Sequence, residues 1–386
     1  MKFGKEHITI MIVLITETMG FSLILPFLPF YAQEFGASPL VIGLLLTTFS
    51  FFQFLSAPIM GRLSDQYGRK PLLLISQFAT FIGFVVLGFA NSLWMIFLSR
   101  IIDGLFGSNF TISQAYLSDI STKKDRSKAF SISGIAFGLG FLVGPGIGGF
   151  LSQFNYQLPS MLAAAVSFAT LLIIFFFLPE TVKRKEKIKF SIKIFHFNDF
   201  RKFFSNKKLS PRLWEFFTYA LSFAVWVSTF ALFSQKQMGL DSTDIGYSLT
   251  YIGFLSIIIM SFLPKMINRF GEKNLKYAGM ISIMIGMLWS AFANEWISLI
   301  GILSLFAFGS GVSRPVLQGS ISRIVSSKKQ GALMGVTNSL MSISQIIGPL
   351  LGGFVISYFF PGFLGLISAA IIFIGLLLML REDIKN

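Results

Sequence analysis

Twelve long apolar segments constrain this chain more than any other feature of its sequence. A helix that crosses a membrane needs about 20 mostly apolar residues, because it rises about 1.5 Å per residue through a hydrocarbon core about 30 Å thick. The chain is therefore predicted to be an all-α membrane protein with twelve spans. These lie at 8–32, 40–61, 72–90, 93–117, 129–152, 160–178, 212–234, 245–267, 277–293, 296–317, 332–357 and 362–380.

The composition excludes the main alternatives to a membrane protein. Apolar residues make up 54% of the 386 residues, and charged residues only 13%, about half the usual share in a soluble domain. The chain has no Cys and only two His, so disulfides, thiolate chemistry and Cys- or His-based metal sites are not expected. We therefore expect no enzymatic activity and no bound cofactor. The first apolar run is too long for a cleavable signal peptide and is interpreted as span 1.

The distribution of the net charge of +15 indicates which side of the membrane the termini and loops occupy. With twelve spans, the termini and the loops after every second span share one side, and these segments with their flanks hold 29 of the 32 Lys and Arg residues. The positive-inside rule then places both termini in the cytoplasm and the protein in the inner membrane. Nucleic acid is not an expected partner, since these cations lie in short loops where topology and anionic lipid explain them.

One long connection divides the spans into two groups of six. The predicted parts are an N-terminal half at 1–178, a linker at 179–211 and a C-terminal half at 212–386. In the linker, apolar side chains recur at helical spacing with basic ones between them, which predicts an amphipathic helix on the inner leaflet. A plain linker and a regulatory element both remain open. The apolar positions are Phe190, Ile194, Phe197, Phe200 and Phe204, and the basic ones Lys193, Arg201 and Lys202.

An internal repeat relates the two halves. The heptapeptide GPGIGGF at 144–150 is matched by GPLLGGF at 348–354, and FGS at 106–108 recurs at 308–310. Two six-span halves of the same orientation are predicted to be repeats related by an axis along the membrane normal, with a binding site between them near the midplane. Close packing of glycine-rich helices is the structural alternative, but it does not predict matching places in both halves.

The loop between spans 2 and 3 reads GRLSDQYGRKP over 61–71. It resembles the signature loop of the major facilitator superfamily, in which this loop acts as a conformational latch that favours the outward-open state. Gly61 would permit close helix approach, Gly68 a tight turn, and Asp65 would accept charge-assisted hydrogen bonds beside Arg69. We expect Arg126, in the next loop on the same side, to be the partner of Asp65.

Three further motifs narrow the resemblance to the twelve-span drug:proton antiporters, and within them to the tetracycline-efflux branch. They are the spacing of Gly20, Pro26 and Pro29 in span 1, the Arg100-x-x-Asp103-Gly104 element of span 4, and the glycine motif of span 5. In span 4 Asp103 replaces the usual Gln. Span 9 lacks an acid that is familiar in the tetracycline branch, and the second-half loop at 268–273 is degenerate. The glycine motif, typical of antiporters, comprises Gly140, Gly144, Pro145, Gly148 and Gly149.

Two acids fall near the middle of the membrane, where an ionisable group is a functional candidate. Glu17 lies about 14 Å into span 1 and Asp103 about 15 Å into span 4, and Arg100 can share a helix face with Asp103. Burial favours the neutral form of a carboxyl group and a nearby Arg the charged form, so such a group can load and release protons. The resemblance makes Glu17 the leading proton or substrate carrier. A structural Asp103–Arg100 pair and a satisfied Glu17 remain the alternative.

Other polar or aromatic residues are weaker candidates. Gln53 and Gln345 fall at depths that suit a substrate cavity, although hydrogen bonds in helix packing explain them equally well. Trp226 is a candidate for an aromatic wall of that cavity, with a position facing lipid or the core as the alternative. Glu215 lies one turn into span 7 beside Arg212 and is predicted to be interfacial.

The sequence as a whole predicts a monomeric secondary transporter that exports an amphipathic, drug-like small molecule against inward proton flow. Its partners would be that molecule, protons and the lipid bilayer, with the proton gradient as energy source. An importer, a uniporter or an exporter of a metabolite or lipid precursor would keep the same fold. A receptor or scaffold is the alternative from another class, against which the loop motif and the buried carboxyls argue.

Overall fold

The computed structural model describes residues 4–121, 126–182, 197–325 and 329–385, which form fifteen helices in that part of the chain. Short turns join most of them. Their bounds are α1 Lys5–Ile24, α2 Leu28–Glu34, α3 Pro39–Tyr67, α4 Arg69–Gly88, α5 Leu93–Phe106, α6 Asn109–Ile120, α7 Arg126–Ser152, α8 Gln157–Phe177, α9 Phe197–Phe204, α10 Ser210–Met238, α11 Ser242–Phe270, α12 Glu272–Ser290, α13 Trp296–Ser322, α14 Gln330–Tyr358 and α15 Phe363–Lys385.

These helices account for the twelve predicted spans. Ten of them are long and apolar enough to cross a membrane. Span 4 is split into α5 and α6, each too short to cross alone, and α12 begins with the charged residues Glu272, Lys273 and Lys276. The short helix α2 continues span 1 beyond the turn at Pro26, and α9 belongs to the linker. The predicted fold class is confirmed.

The chain forms two compact units. Unit 1 comprises Met1–Ala37, Thr48–Ile194 and Asp241–Thr250, and unit 2 comprises Ser38–Thr47, Phe195–Leu240 and Tyr251–Asn386. The predicted boundaries at 178 and 212 stay predictions, because residues 183–196, including Phe190, Lys193 and Ile194, lie outside the described residues.

In unit 1 the glycine motif of span 5 lets α7 pack directly on the backbone of α1. A side chain at Gly140 would press on Thr18 and Met19, and one at Gly148 would meet the carbonyl oxygen of Leu23. A side chain at Gly144, one turn further along, would likewise meet Ser22 and the Met19 carbonyl. The Ser22 hydroxyl donates to the Gly140 carbonyl at 2.9 Å. Small residues therefore bring two membrane helices into backbone contact, as they do at many helix interfaces in bilayers.

A second face of the same motif makes a crossing that recurs in unit 2. In unit 1, Gly246 of α11 lies against the Pro145 carbonyl and within 2.8 Å of Gly149 Cα, measured from an added Cβ. In unit 2, Gly43 of α3 lies in the same way against the Pro349 carbonyl of α14. An added Cβ at Gly43 would lie 3.3 Å from the Cα of Gly353. The repeat seen in the sequence is thus a repeat of helix crossings within the two units.

Candidate functional site

The break in span 4 creates the polar centre of unit 1. Gly107 and Ser108 leave the helical conformation between α5 and α6, which frees backbone groups at membrane depth. The Ser108 N–H donates to Ser76 Oγ at 2.7 Å and Gln53 Nε2 donates to the Gly107 carbonyl at 3.3 Å. Non-helical backbone at this depth is tolerated only where other protein groups or a cavity satisfy it. The sequence predicts an uninterrupted span 4, so this break is a correction.

The break places Asn109 where it joins the carboxyl groups of Glu17 and Asp103. Asn109 Nδ2 donates to Glu17 Oε2 at 2.9 Å and to Thr80 Oγ1 at 3.2 Å. The Thr80 hydroxyl in turn donates to Asp103 Oδ1 at 2.9 Å. Asn109, Thr80 and Asp103 are all buried. Glu17, Asn109, Thr80, Asp103 and Arg100 are called the polar relay below.

Arg100 closes the polar relay, but its contact with Asp103 is long. Its guanidinium is 2% exposed, and Nη1 lies 3.5 Å from Asp103 Oδ2. Nε donates to Ser99 Oγ at 3.3 Å, and the guanidinium lies 5.6 Å from the centre of the Phe84 ring. Nη2 has no hydrogen-bond partner within the described ranges. A buried pair contributes stability only when its geometry is good and its remaining donors are satisfied, and this pair meets neither condition.

Close helix packing holds the polar relay in place. Gly83 of α4 allows the approach of α5, since an added Cβ would lie 3.2 Å from the Ser99 carbonyl and 3.3 Å from Asp103 Cβ. Gly20 of α1 leaves room for the Phe84 ring at 3.2 Å. Gly20 belongs to the span-1 motif, so one function of that motif here is to support the ring against which Arg100 packs.

The sequence predicts three members of the polar relay and misses the other two. Glu17, Asp103 and Arg100 are brought together as expected from their similar depth. Asn109 and Thr80 were not identified because a single polar residue in an apolar span has no distinguishing spacing. The Gly107-Ser108 pair was the available signal, since a glycine next to a serine marks a weak point in a helix.

The loop motif between spans 2 and 3 forms a second polar cluster, built on the turn at Gly68. Gly68 has φ of +113°, a conformation that strongly favours glycine. The two oxygens of Glu180 accept the N–H groups of Arg69 and Lys70 at 2.9 and 3.1 Å. A carboxylate at this position caps the amino end of α4 and complements its dipole.

The Arg69 side chain connects two further acids of this cluster, Asp65 and Asp119. Its guanidinium contacts Asp65 Oδ1 at 2.5 Å and Asp119 Oδ2 at 2.8 Å, and it donates to Ser64 Oγ at 2.6 Å. The side chain of Arg126, predicted to pair with Asp65, lies outside the described residues. At Gly61 an added Cβ would make only an ordinary 3.8 Å contact with Thr111. The latch role of these residues stays a prediction.

The remaining cavity candidates lie in different surroundings. Gln53 supports the span-4 break, as described above. Trp226 is 1% exposed and packs against Phe230, Phe233 and Phe306. Gln345 is exposed on α14. Their contribution to a substrate cavity stays a prediction.

Unit 2 contains a buried acid of a different kind. Glu215 is fully buried rather than interfacial, and its Oε2 accepts from Lys276 Nζ of α12 at 2.9 Å. The neighbouring Arg212 pairs with Glu382 of α15 at 2.8 Å. The sequence could not indicate this burial, because the helix that covers Glu215 lies 61 residues further along the chain.

Known proteins match this chain over nearly its whole length. The family model of the Major Facilitator Superfamily matches residues 10–295 and 278–385. The chain is 33% identical to the class H tetracycline resistance protein of Pasteurella multocida, over 95% of this chain and 93% of that protein. It is 29% identical to the class B tetracycline resistance protein of Escherichia coli, over 91% and 88%. With multidrug resistance protein 2 of Bacillus subtilis the identity is 26%, over 99% and 97%.

Solved structures share the fold at lower identity. The human organic anion transporter MFSD10 superimposes with a TM-score of 0.73 at 22% identity, over 97% of this chain and 99% of that chain. The nucleoside transporter NupG gives a TM-score of 0.76 at 14% identity, over 97% of both chains.

Proposed function

We infer the function from the premise that this chain belongs to the Major Facilitator Superfamily, as a multi-pass membrane protein. It is a proton-coupled antiporter that exports an amphipathic, drug-like small molecule by alternating access. Its similarity to tetracycline and multidrug resistance proteins supports export of a drug-like molecule over import, uniport or export of a metabolite. The absence of an acid in span 9 makes a drug-like substrate class a better proposal than tetracycline itself.

One observation supports proton coupling most directly: the Asn109 amide and the Thr80 hydroxyl link the two mid-membrane carboxyl groups by hydrogen bonds. When both carboxyls are charged, Asn109 donates to Glu17, and Thr80 donates to Asp103. The two negative charges then face one another, and Arg100 is the one buried cation that the described residues place beside Asp103. Binding of one proton removes one of these charges, and its release restores it, so the electrostatics of the polar relay change with each proton.

The amide of Asn109 can also transmit the gain or loss of a proton at one carboxyl group to the other. Its Oδ1 is buried without a hydrogen-bond partner in the described part of the chain. A protonated Glu17 becomes a donor, and Oδ1 can accept from it if the amide turns over. Oδ1 then also faces the Thr80 hydroxyl, which can donate to it instead of to Asp103. Protonation at Glu17 thereby alters the hydrogen bonding of Asp103.

The orientation and the energy source follow from the same proposal. The basic loops favour an orientation with both termini in the cytoplasm of a cell with an inner membrane, and the proton gradient across that membrane supplies the energy. The protein needs no bound cofactor or metal for this function and acts as a monomer. No chemical conversion of the substrate is part of the cycle.

The test is transport by purified protein in proteoliposomes with an imposed pH gradient. We expect Glu17→Gln to reduce gradient-driven export to the background of protein-free liposomes, because glutamine cannot take up and release a proton. Substrate counterflow, which needs no net proton movement, should persist and show that the variant is folded.

Glu34→Gln is the matched control, since Glu34 is an exposed acid in α2 of the same span. It should transport at the wild-type rate. A Glu17→Gln variant that exports at the wild-type rate under the pH gradient would remove Glu17 from the mechanism.

A further inference from the structure

The short helix α9 and the start of α10 form a basic surface that is fixed to unit 2. Phe203 is 8% exposed and Leu209 only 1%, so this part of the linker is anchored by buried side chains. The helix packs on α10 and on α14. A lipid bound here would therefore contact a rigid part of the transporter.

The charge of this surface has one sign. The sequence from Phe200 to Trp214 contains no acid. Arg212 is paired with Glu382, whereas the other four basic side chains are exposed and form no ion pair with an acid in the described part of the chain. These are Arg201, Lys202, Lys207 and Lys208.

A depression of about 410 Å³ lies in this surface, lined by Arg201, Lys202, Ser205 and Asn206. The Oδ1 atom of Asn206 accepts the Lys208 N–H at 3.0 Å, so its amide NH₂ is the group left for a ligand. Two cations, a hydroxyl and an amide NH₂ form a set dominated by donors. Such a set suits an anion with several oxygens, above all a phosphate.

An aromatic ladder extends from the depression along the helices. Phe200 and Phe204 stack with ring centres 6.0 Å apart, Phe204 lies 5.4 Å from Trp214, and Trp214 lies 5.7 Å from Phe217. Trp214 remains 46% exposed. A partly exposed aromatic row beside basic residues, at the end of a membrane helix, is typical of the boundary between headgroups and acyl chains.

We propose that this surface binds one anionic phospholipid, with the phosphate in the depression and an acyl chain along the aromatic ladder. The sequence predicts only that the linker lies on the leaflet. The structure adds a defined place for a headgroup and a route for its chain. The proposal does not depend on the identity of the transported molecule.

Quenching of Trp214 fluorescence tests the proposal. The full-length protein is reconstituted with phosphatidylglycerol or phosphatidylcholine brominated in the acyl chains, and the Trp214 contribution is the difference between wild type and Trp214→Phe. We expect brominated phosphatidylglycerol to quench this contribution at a lower mole fraction than phosphatidylcholine. Each basic group near an anionic headgroup contributes about a fivefold preference, so Arg201→Gln/Lys202→Gln should lower the preference at least about tenfold.

The matched control removes the same charge elsewhere. Lys265 and Arg269 are exposed basic residues of α11 outside the depression, and Lys265→Gln/Arg269→Gln should keep the preference. Excess inorganic phosphate at constant ionic strength should not displace the lipid. Equal losses in the two double variants, an unchanged preference in Arg201→Gln/Lys202→Gln, or displacement by phosphate would each overturn the proposal.

Discussion

Units 1 and 2 use the same turn at corresponding helix ends, but the charges joined there are exchanged. In unit 1, Gly68 has φ of +113°, and Arg69 at the start of α4 pairs with Asp119 near the end of α6. In unit 2, Gly271 has φ of +76°, and Glu272 at the start of α12 pairs with Arg323 just after α13. The second-half loop is degenerate as a sequence motif, yet it joins the same helix ends.

The buried acids of the units differ more deeply. Glu215 of unit 2 forms a close ion pair with Lys276 at 2.9 Å. In unit 1, Arg100 lies 3.5 Å from Asp103, and Glu17 accepts a hydrogen bond from the neutral amide of Asn109. A close pair neutralises both charges and favours a fixed structure, while a poorly compensated carboxyl remains free to exchange a proton. Burial of an acid is therefore not enough to indicate proton coupling. How well neighbouring cations and donors neutralise its charge is the more informative property.

The largest expected effect would separate these two kinds of buried acid. We expect Asp103→Asn to lose pH-gradient-driven export while keeping substrate counterflow, because it removes a proton-exchanging group and leaves Thr80 a hydrogen-bond acceptor. We expect Glu215→Gln to keep gradient-driven export but to lower thermal stability, since Lys276 loses its partner. Breaking a buried pair costs about 3–5 kcal/mol, which thermal unfolding in detergent would detect.

The double variant Glu215→Gln/Lys276→Met keeps this comparison interpretable if the single variant fails to fold. It removes both charges and should recover stability with export intact. Loss of proton-driven export in the folded double variant would mean that unit 2 also takes part in proton coupling.

A second prediction concerns the glycine crossings, where the units are alike in sequence but differ in what the glycine meets. An added Cβ at Gly148 would meet the backbone carbonyl of Leu23, whereas at Gly352 it would meet the side chain of Thr229. A side chain can change rotamer and a helix backbone cannot. Overpacking lowers the free energy of unfolding by about 1–3 kcal/mol. We expect the loss in Gly148→Ala to be near the upper end of this range and the loss in Gly352→Ala near the lower end.

Thermal unfolding of the two variants measures this difference. Gly134→Ala and Gly335→Ala are matched controls on the same two helices, since among the described residues no other part of the chain lies within 4 Å of an added Cβ at either site. They should leave the unfolding temperature unchanged or raise it slightly. If Gly148→Ala were as stable as these controls, α1 and α7 could not be in backbone contact.

Periodic features of this protein could be predicted from its sequence, whereas contacts between distant helices could not. Span number and the glycine repeat follow from apolar length and spacing, and similar depth was enough to bring Glu17 and Asp103 together. Asn109 was missed because its importance comes from the break at Gly107 and from a contact with a helix 92 residues away. Glu180, which caps α4 from the end of span 6, was missed for the same reason.

The third prediction tests whether Asn109 couples the two carboxyls. We expect Asn109→Leu to slow gradient-driven export about tenfold or more, because a buried hydrogen bond to a charged group contributes roughly 1.5–3 kcal/mol. Counterflow should change little. Thr80→Val, which keeps the shape and the Asn109–Glu17 bond but removes the link to Asp103, should have a smaller effect in the same direction. Equal loss of counterflow and export would indicate a purely structural role for Asn109.

The smallest effect is expected at Asp65, where unit 1 can be made to resemble unit 2. The repeat places Asn268 at the corresponding position of unit 2, so Asp65→Asn tests what the acid adds. Asp65 is 46% exposed, and exposed ion pairs contribute only about 0–1 kcal/mol, so the conformational populations should shift less than about fivefold.

Because the chain contains no Cys, electron–electron double resonance can use labels at Ser92→Cys and Glu295→Cys without background to follow those populations. Arg69→Gln should shift them further, since it releases Asp119 and Ser64 as well as Asp65. Asn268→Asp in unit 2 is the reciprocal control: its loop has Glu272 where unit 1 has Arg69, so the added acid lies one turn from another acid and should not stabilise the same state. Unchanged distances in both Asp65→Asn and Arg69→Gln would show that this cluster only shapes the turn and does not act as a latch.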